Sequence, residues 1–330
     1  MKIRTIILAL AAVCTVSCYE SYVGDYSKVG CGFANQADVR SVIVGEGMSF
    51  STGVALGGAI DNGQDRTVNI GVDYSLVNSD TYKLFTGHTF TYIVKLMENV
   101  TAISALPASL YDLETESGSS GEVLIRKGSH LGRITVKIDS AAFLSDAGRV
   151  WPSQVIPLVI TGSDGTEIIK GRETSVIGVR YENMLFGNWY HGGYAEVKDA
   201  GDNLLRTVRY STTVPQADNL VWELTTVEPF SLTANAVGDA FNGAAAQMKL
   251  TLGADDAITV SSVSGATYDV QPDGESRFIR SKLLQDRKIV LNYKYVSGTE
   301  TWHCHDTLTF RNRLRDGVNE WQDENSSHYE

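Results

Sequence analysis

Leu131-Gly-Arg-Ile-Thr-Val-Lys-Ile138 places Ile134, Val136 and Ile138 at alternate positions, with Arg133, Thr135 and Lys137 between them. A period of two puts the three apolar side chains on one face, the pattern of a half-buried strand. Further on, Gln154-Val-Ile-Pro-Leu-Val-Ile-Thr161 is apolar almost throughout, as a strand covered on both faces would be. Upstream, Val39–Val44 and Met48–Leu56 flank Gly45-Glu46-Gly47, which predicts a hairpin. Thr67–Asp73, Val123–Ile125 and Ser175–Arg180 complete a set of about seven short strands, the number expected of an immunoglobulin-like sandwich. Phe85–Leu110 interrupts the pattern, and Tyr92–Val100 within it reads as a short helix.

The second half continues in the same idiom. Candidate strands are Gly187–Val197, Leu204–Thr212, Asn219–Thr226, Gln247–Leu252, Ile258–Val263, Thr267–Val270, Lys288–Val296 and Thr301–Arg311. Mostly adjacent strands joined by turn-rich loops fit an up-and-down barrel or a second sandwich. Helix signals are sparse, with a turn or two expected in Ala240–Ala246 and Ser276–Gln285. The fold expected is therefore all-β: a sandwich over residues 33–180, an up-and-down β-barrel or second β-sandwich over 181–315, and a frayed polar tail at 316–330.

Composition agrees with two ordinary globular units. The 330 residues are 43% apolar and 20% charged, against a prior of roughly 150 residues per domain. Lys and Arg number 28 against 39 Asp and Glu, a formal charge of −11, with no basic block. Nucleic acid is thus a poor partner. Four cysteines and six prolines exclude a disulfide scaffold and a collagen-like chain.

The first residues read as an export address. Met-Lys-Ile-Arg precedes an apolar run from Ile6 to Val13 and a small residue, Ser17, before Cys18. That is the anatomy of a signal peptide over 1–17, and the run is far short of the ~20 residues of a spanning helix. The Ser17-Cys18 step resembles the lipobox of bacterial lipoproteins, with Thr15 departing from the usual Leu. The resemblance implies acylation of Cys18, a tether over residues 18–32 and an outer-membrane address, with the acyl group as the only membrane contact.

Candidate chemistry is thin. Trp302-His-Cys-His305 places His303 and His305 on one face of a strand, opposite Trp302, Cys304, Leu308 and Phe310. Two imidazoles without a third ligand do not make a metal site, so no metal or other cofactor is expected. Gly187-Asn-Trp189 resembles the Gly-x-Trp of the first lipocalin strand, which implies a plugging indole with Arg311 or Arg313 stacked over it. Trp222 alternates with Leu220 and Leu224, which points it inward. Trp151 and Trp321 are the candidates for exposed indoles that stack on a sugar ring. Asp139-Ser140-Ala141 resembles the O-glycosylation motif of secreted Bacteroidetes proteins, with Ser140 as the acceptor. Cys31 and Cys304 lie at opposite ends of the chain, and a bridge between them is not favoured. Sequences such as His-Glu-x-x-His, Gly-x-Ser-x-Gly and the phosphate-binding loop are absent.

Phe33-Ala-Asn-Gln-Ala-Asp-Val-Arg40, Val44-Gly-Glu-Gly-Met48 and Asp65-Arg-Thr-Val-Asn69 together resemble a known module. It is the N-terminal immunoglobulin-like module of Bacteroidetes outer-surface lipoproteins encoded with glycan-uptake systems, found also before some family-eighteen endo-β-N-acetylglucosaminidases. The likeness spans Phe33 to Ile169. Gly187–Arg313 resembles the companion domain, in Gly-x-Trp-Tyr-His-Gly-Gly and in Leu308-Thr-Phe-Arg311. What this implies is a cell-surface location and a glycan context. The family-eighteen run Asp-x-x-Asp-x-Asp-x-Glu is missing, and that chemistry needs carboxylates at a fixed separation. The expectation is a non-catalytic lipoprotein that binds carbohydrate or glycoprotein beside outer-membrane transporter components. The alternatives are an adhesive or structural surface protein and a glycoside hydrolase with a dispersed acid pair.

Overall fold

The computed structural model describes residues 29–58, 61–210, 219–241 and 245–322. Cys18 and the signal peptide lie outside these residues, as do 242–244 of the expected Ala240–Ala246 turn. The first half contains β1 (Gly30–Phe33), β2 (Ala37–Val44), β3 (Ser49–Gly57), β4 (Arg66–Val72), β5 (Ser104–Ala105) and β6 (Tyr111–Thr115). It continues with β7 (Glu122–Ile125), β8 (Leu131–Ile138), β9 (Gln154–Ser163), β10 (Glu167–Ile168) and β11 (Thr174–Asn183). One sheet has the order β10-β1-β3-β8-β6 and the other β2-β11-β9-β4-β7, with β5 beside β9. They enclose a shared core of Phe33, Val54, Ile134, Val136, Ile156, Leu158, Val179 and Tyr181.

The apolar run of β9 is explained by its two neighbours. Ile156 and Leu158 face the sandwich core. Val155 faces the other way, into a cluster with Phe85, Ile93 and Met97. These last residues belong to the insertion, which folds as helices Ser79–Thr86 and Thr91–Leu96 laid on the outer face of the second sheet. Asn78 caps the first helix by accepting from the amides of Asp80 and Thr81. Each such buried aliphatic side chain contributes about 1.5–3 kcal/mol.

Two expectations need correction here. β2 and β3 do not form a hairpin: β2 pairs with β11, while β3 pairs with β1 and β8. The Gly45-Glu46-Gly47 turn instead carries the chain from one sheet to the other. Nor do residues 30–32 belong to a tether, since Gly30–Phe33 is a buried strand; residues 18–28 of that tether lie outside the described residues.

The second half holds β12 (Gly187–Lys198), β13 (Leu204–Arg209), β14 (Val221–Glu228), β15 (Ser231–Ala234), β16 (Met248–Leu252) and β17 (Ala257–Ser262). It ends with β18 (Gln271–Pro272), β19 (Ser276–Ile279), β20 (Lys288–Ser297), β21 (Glu300–Arg315) and β22 (Val318–Glu320). Strands run β12-β14-β15-β16-β17-β19-β20-β21, and β21 returns to pair with β12 from Asn188 to Lys198. The sheet therefore closes as a barrel, which removes free edges around its circumference. Its members differ in part from those expected. Thr267–Val270 is not a strand, whereas Ser231–Ala234 and Ser276–Ile279 are.

Trp189 is fully buried inside this barrel, its Nε1 donating to the Leu185 carbonyl at 3.0 Å and its ring edge-on to Phe310 at 5.3 Å. The late arginines stack elsewhere: Arg313 lies 5.2 Å over Phe186 and Arg311 5.7 Å over Tyr190. The tail is not frayed at its start. Asp316 accepts from the Ser41 amide at 3.0 Å, and β22 pairs back onto β21. Cys31 and Cys304 are both free and buried, one in each unit.

Candidate functional site

The turn at Gly45–Gly47 brings sandwich and barrel together. Glu46 is inserted between two barrel arginines. Arg287 Nη1 donates to its Oε1 at 2.6 Å, and Arg313 donates to both carboxylate oxygens at 3.2 and 2.9 Å. All three side chains are 1–4% exposed. Burial by itself would raise the Glu46 pKa, but Arg313 and then Arg287 outweigh it and hold the carboxyl below its ordinary value. A second carboxylate, Glu320, meets Arg313 from the other side at 2.5 Å.

Beside this lock runs a groove of about 700 Å³. Its sandwich wall is Val44, Met48, Ser140 and Leu144, its barrel wall Phe230, Leu252 and Arg280, and Met184 of the connecting segment lies between them. Gly45 makes that packing possible. Its φ is +82°, and a Cβ there would stand 2.1 Å from Met184 Cε. Gly45→Ala is expected to cost about 1–3 kcal/mol through backbone strain and overpacking. Urea melts of the two proteins would measure it, and an unchanged midpoint would show that Met184 moves aside freely.

Phe230 is the exposed aromatic of the groove, with 52% of its surface open. It sits in the turn between β14 and β15, which is fixed from behind. Asn183 is buried and donates to the Pro229 carbonyl at 2.9 Å, while the Leu252 amide donates to the Phe230 carbonyl at 2.8 Å. Arg280 is held by Asp256 through two bonds of 2.7 and 3.2 Å, and the hydrogen bond to Asp256 raises its already high pKa. The groove thus offers an aromatic face, apolar walls, one tethered cation and the Ser140 hydroxyl. Among the described residues, no carboxylate lines it.

The residues singled out in the sequence are dispersed. Trp151 follows the short helix Ala147–Val150 and is 36% exposed, and Trp321 lies beyond β22 at 60%. Neither lines the groove. Ser140 does, at the start of the helix Ser140–Leu144, whose cap Asp139 accepts from the Ala142 amide. His303 and His305 share the outer barrel face but take separate partners, Asp273 at 2.5 Å and Asn292 at 2.8 Å. No group of three or more His, Cys, Asp or Glu suited to a metal ion occurs among the described residues. Sequence reading missed Phe230 and Glu46. A charged residue between two glycines was the available signal for Glu46, and a lone aromatic in a turn gave none for Phe230.

No family profile and no curated protein matches the chain. Among solved structures, it resembles a Bacteroides ovatus protein of unknown function with a TM-score of 0.61 and 18% identity, over 90% of this chain and 98% of that one. At that identity the likeness shows the fold. A Bacteroides ovatus multidomain protein including DUF1735 aligns at TM-score 0.41 and 14% identity, over 89% and 100% of the two chains. A third, from the same species and provisionally assigned as carbohydrate-binding, reaches TM-score 0.31 and 13% identity, over 84% and 79%. These two scores are too low to carry an argument.

Proposed function

We propose that the protein is a non-catalytic surface lipoprotein that binds glycan or glycoprotein in the groove between sandwich and barrel. The observation that carries the reading is the placement of Phe230: an open aromatic ring, on a turn whose backbone carbonyls are held by Asn183 and Leu252, at the edge of an apolar groove. Aromatic rings stack against the C–H face of a sugar, and a preformed platform spends little entropy on binding. The described lining of the groove holds no carboxylate, which favours binding over hydrolysis, a reaction that needs a positioned acid pair. The glycan context comes from the sequence resemblance to surface lipoproteins carrying an immunoglobulin-like module, and outer-membrane transporter components are the partners it suggests.

Phe230→Ala should weaken binding of the recognised glycan about three- to tenfold, the worth of one stacking contact, and leave the melting temperature unaltered. Trp151→Ala and Trp321→Ala should leave the affinity unaltered. Calorimetry against mucin glycans, N-glycans and plant polysaccharides is the direct test. The apolar walls of Met48, Met184 and Leu252 also suit a protein side chain. Capture of a surface-complex protein with no glycan binding would replace this reading by the adhesive one.

The membrane attachment proposed is an acyl anchor on Cys18. No helix among the described residues is long and apolar enough to cross a membrane. Metabolic labelling with a fatty-acid analogue should mark the wild type and miss Cys18→Ala, and equal labelling would overturn the anchor.

A further inference from the structure

The turn between β16 and β17, residues 253–256, carries both Phe230 and Arg280 on the barrel wall of the groove. On one side the Leu252 amide, at the end of β16, holds the Phe230 carbonyl at 2.8 Å. On the other, Asp256 grips Arg280, and its own carbonyl accepts from the Phe278 amide of β19 at 2.8 Å. Asp256 takes φ +63°, where glycine rests without strain and aspartate does not. What aspartate adds at that position is the carboxylate that holds the guanidinium. β15, β16, β17 and β19 are successive neighbours in the sheet. Three strand spacings therefore set Phe230 and Arg280 about 14 Å apart at the backbone, a gap that their side chains and one sugar can fill.

Arg280 is the one charged side chain in the described lining of the groove, and 47% of it is exposed. Asp256 uses the Nε–Nη2 edge, through bonds of 3.2 and 2.7 Å. The Nη1–Nη2 end keeps its donors, and that planar fork matches two oxygens of a carboxylate or a sulfate. The formal charge of −11 does not decide this contact, because exposed charges beyond about 8 Å are screened at physiological ionic strength. Met48 and Leu144 on the sandwich side, with Met184 between the units, offer apolar surface. Such walls leave hydroxyls unsatisfied and suit a methyl group.

We propose that the groove takes a sugar bearing both an N-acyl group and an anion, either a carboxylate or a sulfate. The inference rests on the glycan reading above and adds the class of sugar. Phe230 stacks on the C–H face of the ring, the acyl methyl lies against the methionine wall, and Arg280 pairs with the anion. A neutral hexose without the acyl group would use only the first of these contacts and would set hydroxyls against Met48 and Met184. Asp256 offsets part of the Arg280 charge, so the preference for an anion is that of one charge-assisted contact and no more.

The test is calorimetry and ligand-observed NMR on the intact protein with methyl glycosides that carry the two groups separately and together. Glucose has neither, N-acetylglucosamine the acyl group, and glucuronic acid the anion. N-acetylneuraminic acid and N-acetylglucosamine 6-sulfate have both, and the pair tells a carboxylate from a sulfate. The better of these two should bind about tenfold more tightly than N-acetylglucosamine, the worth of one hydrogen bond to a charged group. It should bind about fourfold more tightly than glucuronic acid, the worth of one buried methyl. Arg280→Gln should abolish the tenfold difference and leave N-acetylglucosamine binding unaltered. Raising sodium chloride from about 50 to 500 mM should shrink the same difference in the wild type, which keeps the test open if Arg280→Gln does not fold. Equal affinities for N-acetylglucosamine and both acidic sugars, or a preference that survives Arg280→Gln, would overturn the proposal. If sugars then still bind and weaken in Phe230→Ala, the glycan reading of the groove stands without it. If none of the five binds, the proposal falls, and the polysaccharide titrations decide the groove reading by themselves.

Discussion

Replacing Glu46 by alanine should cost about 3–5 kcal/mol, the penalty for removing one member of a buried ionic cluster. Its partners cannot follow their charge into water. Arg287 and Arg313 are 3% and 1% exposed, and Glu320 would be the one carboxylate left to Arg313 among the described residues. Glu46→Gln keeps the shape and a neutral acceptor, so it should cost less. Chemical denaturation of the three proteins would rank them. A cost below about 1 kcal/mol for the alanine variant, the scale of an exposed pair, would show that the contact is not what joins the units.

The same contact sets an acid limit. The folded pKa of Glu46 lies below its ordinary value because Arg313 and Arg287 outweigh the opposing effect of burial. A carboxyl lowered on folding contributes stability above its unfolded pKa, and that contribution is lost as pH falls through the folded pKa. Asp316 works the other way. Burial raises its pKa despite the Ser41 hydrogen bonds, so its contribution is greatest at low pH and lost as pH rises through the raised value. Wild type should therefore lose stability more steeply than Glu46→Gln as pH drops below about 4.5. Parallel pH profiles would contradict the assignment.

How much of this could be read beforehand depends on the range of the interactions. Period-two strands such as Leu131–Ile138 are local and were legible, and so was the double burial of Gln154–Thr161. Its cause was not, because the covering Phe85 and Ile93 come from an insertion without strand periodicity. The Gly45-Glu46-Gly47 turn has the sequence of a hairpin, but the partners of Glu46 are 241 and 267 residues away and draw the turn across to the barrel. Barrel closure was legible only as a possibility, since strand count does not distinguish a barrel from a second sandwich. Asp306 was in plain view. It shares the parity of Trp302, Cys304, Leu308 and Phe310, and period two alone turns it inward with them, where it is fully buried. Phe230 offered no such signal, because what makes it a platform is Asn183 behind it.

Trp189→Ala should cost about 3–5 kcal/mol, the range for truncating a large buried aromatic. The indole has no exposed surface and meets Phe310 edge-on, within the same core as Leu185 and Phe186. Removing it opens a cavity beside the segment that joins the barrel to the sandwich, where Leu185 and Phe186 are themselves packed in the core and collapse is restricted. Trp189→Phe separates packing from polarity. It refills most of the volume but leaves the Leu185 carbonyl without the 3.0 Å indole donor, at a cost of about 1–3 kcal/mol. Urea titrations should show lower midpoints with unchanged slopes for both variants, the alanine shift being the larger. Equal shifts would mean that the hydrogen bond, and not the bulk of the ring, is what the Gly-x-Trp at the head of β12 supplies.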